Sequence, residues 1–85
     1  LGESEAKAKK DGTVRLERIN DVVNEKGERV ALSRGTGEIQ ILVGSRAMET
    51  YAIPHGAILA VQNGQQVKAG QTLARWDPHV VPYIA

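Results

Sequence analysis

The sequence predicts one small all-β domain, a barrel or a sandwich. Three observations carry this. First, apolar residues alternate with polar ones over short runs, as at Ile39, Ile41 and Val43, the period of a strand with one buried face. Second, glycine-centred turn signals punctuate the chain and leave no segment of ordinary helix length. Third, "NGQQVKAGQTL" places Gly64, Val67, Gly70 and Leu73 three residues apart, a spacing that fits neither helix nor strand. A chain that reverses twice within a few residues produces it. Glycines then sit where a Cβ would clash, and one buried valine anchors the middle.

The elements follow in order. Residues 1–11, "LGESEAKAKKD", are rich in Ala, Glu and Lys. A helix this short is marginal in water, and no apolar stripe is present to dock it. We expect a disordered linker over 1–11 and a single β domain over 12–85. In "TVRLERI", Val14 and Leu16 share a face, and Ile19 breaks the alternation, which predicts a bulge near Glu17–Arg18. "DVVNEKGERVALS" reads as a hairpin turning at "EKGE", with Gly27 at positive φ and with Val30 and Leu32 on one face. "RGTG" (34–37) is a second turn. "EIQILV" is a strand, "GSRA" (44–47) a loop, and "ETYAI" a strand with Tyr51 and Ile53 inward. Pro54 ends that pairing or places it at an edge. "GAILAV" after Gly56 is apolar on both faces and is therefore expected to be central. "NG" at 63–64 and "KAGQ" at 68–71 are the two turns around Val67, and "TLARWD" is the last strand.

The chain has 85 residues, so its core is thin: a chain of this size buries only about 60–65% of its unfolded surface. It has no cysteine, hence no disulfide or thiolate metal site to reinforce that core. Eleven Lys/Arg against ten Asp/Glu leave a net charge of +1, which argues against a strong nucleic-acid binder with a basic face. Residues 1–30 hold seven charges of each sign, and the remainder of the chain holds only seven in all. The later part is therefore the more buried or the more turn-rich. No apolar run reaches the roughly 20 residues of a spanning helix, so a soluble intracellular domain is the expectation. Leu1 at the start and "VVPYIA" at the end read as cuts from a longer polypeptide.

A search for chemistry finds little. A biotinyl or lipoyl carrier displays its lysine at a tight hairpin tip. Lys68 lies within the double turn instead, and Lys26, at a hairpin tip, is flanked by Glu25 and Gly27. His55 and His79 lie far apart with no carboxylate cluster at ligand spacing, so no metal site is expected. Ser4, Ser33 and Ser45 fall in linker or turns without a neighbouring histidine. "GTG" at 35–37 lacks the Gly-Lys-Ser/Thr of a phosphate loop. Arg15, Arg18, Arg29 and Arg34 are expected along one exposed side, their field largely cancelled by Glu17, Glu25 and Glu28. Trp76 is read as core or core lid, and Asp77 before Pro78 as a strand stop bonded to local backbone. Exposure of Trp76, Tyr51 or Tyr83 would instead mark a docking surface.

"YAIPHGAILAVQNGQQVKAGQTLARWDPH" closely resembles a segment of β′, the largest catalytic subunit of bacterial DNA-directed RNA polymerase. It is similar to the lineage-specific insertion within the trigger loop. The "Y-x-[IV]-P-x-G-A-x-L" opening, the "NGQQVKAGQTLA" double turn and "WDPH" carry the likeness, and "GTVRLERINDVVNEKGERVALSR" fits its first strands. The resemblance implies a small all-β sandwich-barrel hybrid motif. Its fold-determining residues here would be Gly56, Gly64, Val67, Gly70, Leu73, Trp76, Asp77 and Pro78. It also implies a cytoplasmic, non-catalytic accessory domain near the secondary channel, with no catalytic, cofactor-binding or metal residue in this segment. The implied partners are the rest of the polymerase and secondary-channel regulatory proteins, with weak or absent nucleic-acid contact and no membrane. The alternative is a biotinyl- or lipoyl-like carrier or another barrel-sandwich binding module, which rests on the double-turn pattern alone.

Overall fold

The computed structural model describes residues 4–33 and 35–79. Nine strands lie along the described residues: β1 (Ser4–Lys7), β2 (Gly12–Glu17), β3 (Asn20–Val23), β4 (Arg29–Leu32), β5 (Gly37–Val43), β6 (Arg46–Ile53), β7 (Ile58–Leu59), β8 (Gln66–Val67) and β9 (Thr72–Trp76). They form a five-stranded sheet in the order β1-β9-β7-β4-β3 and a four-stranded sheet in the order β6-β5-β2-β8. Every pairing is antiparallel. Neither sheet closes into a barrel, and no described residue is helical. The all-β expectation holds, as two open sheets.

One core joins the sheets. Val14, Ile39, Ile41, Ile53 and Val67 come from the four-stranded sheet, and Ala6, Ala31, Leu59, Leu73 and Ala74 from the other. The residues packed inside are small, so the few large ones carry the burial. Ile39, Ile41, Ile53, Leu73, Val14 and Val61 are the largest fully buried side chains, each contributing about 1.5–3 kcal/mol. Leu16, Ile19, Tyr51 and Trp76 pack against this core from its margins.

The N-terminal segment departs from expectation. Residues 4–7 are not a linker but strand β1, paired with β9 from Ser4 opposite Trp76 to Lys7 opposite Thr72. Ala6 and Ala8 are buried. Their i, i+2 spacing is a strand signal, but alanine is too small and too good a helix former to make it stand out. The backbone of β1 also completes the hydrogen bonding of β9, a demand that no local pattern displays.

The bulge expected near Glu17–Arg18 is absent. Register between β2 and β5 is unbroken through Glu17 opposite Glu38. The chain turns instead at Arg18, whose φ of 59° is positive, and Ile19 folds back over Gly37. Irregular register lies elsewhere, between Ile41 and Leu42 against β6 and between Ala6 and Lys7 against β9. Beyond the first of these Val43 is exposed, while Ile39 and Ile41 are buried. The hairpin turn at Gly27 forms with φ of 80°, and Val30 and Leu32 share a face. That face is the outer one, since Ala31 between them enters the core. The loop expected over 44–47 shrinks to a turn at Gly44–Ser45, with Arg46 and Ala47 already in β6. β6 is an edge strand that ends before Pro54, as expected. β7 is central as expected, but the strand expected over 56–61 shrinks to Ile58–Leu59, and Ala60 is exposed.

Candidate functional site

The double turn is built twice from the same parts. In Gln62–Gln65 and in Lys68–Gln71 the first residue's carbonyl accepts the fourth residue's N–H, at 3.1 and 3.0 Å. In each, the glutamine Oε1 of the fourth residue accepts the first residue's N–H, at 2.9 and 3.2 Å. The third residue is a glycine, Gly64 with φ of 85° and Gly70 with φ of 90°, the position where a type II turn requires a positive value. Between the turns Val67 is buried and pairs with Gly12. Gly64 donates to the Val14 carbonyl, and Gly70 to the Ala8 carbonyl. Side chains add to this. Asn63 Oδ1 accepts the Leu16 N–H at 2.8 Å, and Asp11 Oδ1 accepts the Ala69 N–H at 2.8 Å. The three-residue period is thus a clasp holding the start of the chain onto the double turn.

The other singled-out residues lie around it. Gly56 has φ of 95° and donates to the Ala31 carbonyl at 2.8 Å. Leu73 is fully buried. Trp76 is half-buried at the end of β9, beside Tyr51, Ala52 and residues of β1 in a shallow groove. Asp77 Oδ1 accepts the His79 N–H at 2.9 Å, an Asx turn that stops the strand beside exposed Pro78. Tyr83 and "VVPYIA" lie outside the described residues.

Lys68, the carrier candidate, has an exposed side chain 3.8 Å from Asp11. Lys26 is exposed in the β3–β4 turn, its N–H bonded to Asn24 Oδ1. The arginines do not share one side. Arg15 stands on β2 in one sheet, bonded to Gln40 and near Glu17. Arg29 stands on β4 in the other, donating to Asp21 Oδ2 and to the Val61 carbonyl. Arg18 pairs with Glu38 at 3.3 Å, and Arg34 lies outside the described residues. The separation follows from topology, since β2 and β4 belong to different sheets.

Two perturbed acids mark tight local networks. Burial raises the Glu49 carboxyl, but hydrogen bonds from the Lys9 N–H and the Tyr51 hydroxyl outweigh it and hold it below its ordinary value. The phenol of Tyr51 is pushed up to about 12, by burial first and by the Glu49 bond second. Hydrogen bonds from Asn24 and then Arg75 hold Glu28 below its ordinary value. No three metal-ligating side chains converge among the described residues. The Glu49–Tyr51–Lys9 link and the residues at the Arg18 corner were not anticipated. They join residues distant in sequence, whereas the turn signals at 63–64 and 68–71 around Val67 pointed to the double turn of the clasp.

No family model matches the chain. The beta′ subunit of DNA-directed RNA polymerase from Saccharophagus degradans (strain 2-40) is 46% identical over 77 residues, 89% of this chain. The chain spans about 5% of that relative's length. Over nearly all its length, this chain is homologous to a short segment of the bacterial RNA polymerase beta′ subunit.

Proposed function

We propose that the chain is an accessory domain of a bacterial RNA polymerase beta′ subunit, a sandwich-barrel hybrid unit set into the trigger loop. It does no chemistry itself. It biases movement of the loop and thereby elongation, pausing and transcript cleavage in the cytoplasm. The observation that carries this reading is the 46% identity across 77 residues to a beta′ subunit. The register adds support. Ser4 opposite Trp76 brings the first and last described strands side by side, an arrangement that tolerates insertion into a loop.

A folded mass attached to a mobile loop shifts the loop's open–closed equilibrium through any contact made in one state only. A bias of about 1 kcal/mol changes the populations about five-fold. The partners are then the rest of the polymerase and regulatory proteins at its secondary channel. Deleting residues 4–79 from the intact subunit and rejoining the adjacent ends tests the reading. Pausing or transcript cleavage should change while nucleotide addition survives. A deletion polymerase identical to its parent in all these assays would sink it.

A further inference from the structure

β3 is the outer strand of the five-stranded sheet, paired on one side only, with β4. Natural edges are blunted by free charges, proline or bulges. "NDVV" has one charge, Asp21, and its carboxylate is held by Arg29 of the same sheet, at 2.9 Å from Nε and 2.5 Å from Nη2. Val22 and Val23 stay 47% and 67% exposed. At its Asn20 end the edge opens into a groove of about 610 Å³ lined by Arg18, Ile19, Asn20, Leu32, Ser33 and His55.

The groove has an apolar floor and a cationic, donor-rich rim, with no acid among the described residues that line it. Arg18 is 58% exposed and its pair with Glu38 is a surface pair, weak enough to exchange for another carboxylate. His55 Nδ1 accepts the Ser33 N–H at 3.1 Å, so the neutral ring carries its proton on Nε2, a donor without a protein partner among the described residues. Arg18 holds a left-handed φ of 59°, a conformation that costs a non-glycine residue free energy and that clusters at functional sites.

We propose that this edge and groove dock an extended acidic–aliphatic segment of a partner protein. The segment adds as a strand beside β3. It sets an aliphatic side chain against Ile19 and Leu32, and presents a carboxylate to Arg18 and the His55 Nε2–H. Nucleic acid fits less well. The chain's net charge is only +1, Glu38 stands against Arg18, and among the described residues that line the groove only His55 offers an aromatic face. The inference rests on this chain's own surface and stands or falls independently of the polymerase reading.

The test is amide-shift titration of the 85-residue chain with the capped peptide Ac-VEIDVE-NH2. Ac-VKIKVK-NH2 and a 12-nucleotide oligothymidylate serve as competitors of other chemistry. Shifts confined to Arg18–Val23, Leu32, Ser33 and His55, seen with the acidic peptide alone, are expected. Arg18→Gly keeps the positive φ and removes the guanidinium, and should weaken binding at least five-fold. His55→Phe removes the Nε2–H donor at a residue without positive φ and should also weaken binding. No localised shifts at millimolar peptide, equal shifts with the lysine peptide, unchanged binding by both variants, or oligothymidylate in the groove would each overturn the proposal.

Discussion

Gly37 opens β5 opposite Ile53 and has no room for a side chain. A Cβ there would overlap Ile19 Cγ1 and lie 3.0 Å from Ile19 Cδ1 and 3.2 Å from the Arg18 carbonyl oxygen. Its φ is not positive, so alanine meets no backbone strain and gains about 0.4–1 kcal/mol from a less disordered unfolded chain. Overpacking costs about 1–3 kcal/mol, so the net effect of Gly37→Ala should run from about zero to about 2.6 kcal/mol destabilising. Ile19→Ala removes three carbons from a half-buried site, about 1–1.5 kcal/mol at half the value of roughly 0.8 per buried methylene. It also removes both side-chain atoms in the clash. The double variant should therefore cost no more than Ile19→Ala alone, and the coupling equals the relieved overpacking, about 1–3 kcal/mol. A domain of this size has about 4–13 kcal/mol in total, so all four proteins should fold. Urea unfolding followed by circular dichroism reads each value. Two effects that simply add, with no coupling between Gly37 and Ile19, would refute the account of the Arg18 corner.

Tyr51 gives a pH prediction. Its folded pKa near 12 exceeds the ordinary 10.0, so its contribution is intact below pH 10 and is lost as pH rises toward 12. Thermal melts from pH 9 to 12 should fall more steeply for the parent than for Tyr51→Phe, and parallel slopes would count against it. Glu28 runs the other way. Its depressed carboxyl contributes stability above its ordinary 4.5 that is lost as pH falls through the folded value, so Glu28→Gln should show the shallower acid transition. At Gly70 an added Cβ meets open space, so only the φ of 90° opposes Gly70→Ala. That should cost about 1–2 kcal/mol, with Gly70→Asn costing less by the same unfolding assay.

Elements with strong local signals were legible in the sequence. Alternating Ile39 and Ile41 gave β5, "NG" and "KAGQ" gave the double turn, and Gly27 gave the hairpin. What stayed hidden depends on partners far along the chain. Ser4–Lys7 is a strand because β9, almost seventy residues later, needs a neighbour. Arg18 adopts a glycine-like φ because Ile19 must fall over Gly37, and nothing about arginine advertises that. The arginines at 15 and 29 look like one face on paper, and topology sends their strands to separate sheets. The docking groove escaped for the same reason, since Arg18, Leu32 and His55 meet only when β3, β4 and the turn before β7 assemble.

The sheet order ties the two proposals together mechanically. β1 and β9 lie at one side of the five-stranded sheet, and β3 is its opposite edge. If the loop arms attach through β1 and β9, a partner seated on β3 lies about 19 Å away, four strand spacings of roughly 4.8 Å. Between the two edges run β7 and β4, whose inward residues Leu59 and Ala31 are buried in the common core, so the sheet moves as one packed body. On that attachment, a partner that holds β3 would restrain the arms through that body. Its effect depends only on whether the held position suits the open or the closed loop. On the two proposals together, one edge would serve attachment and the other capture, and no residue would have to do both.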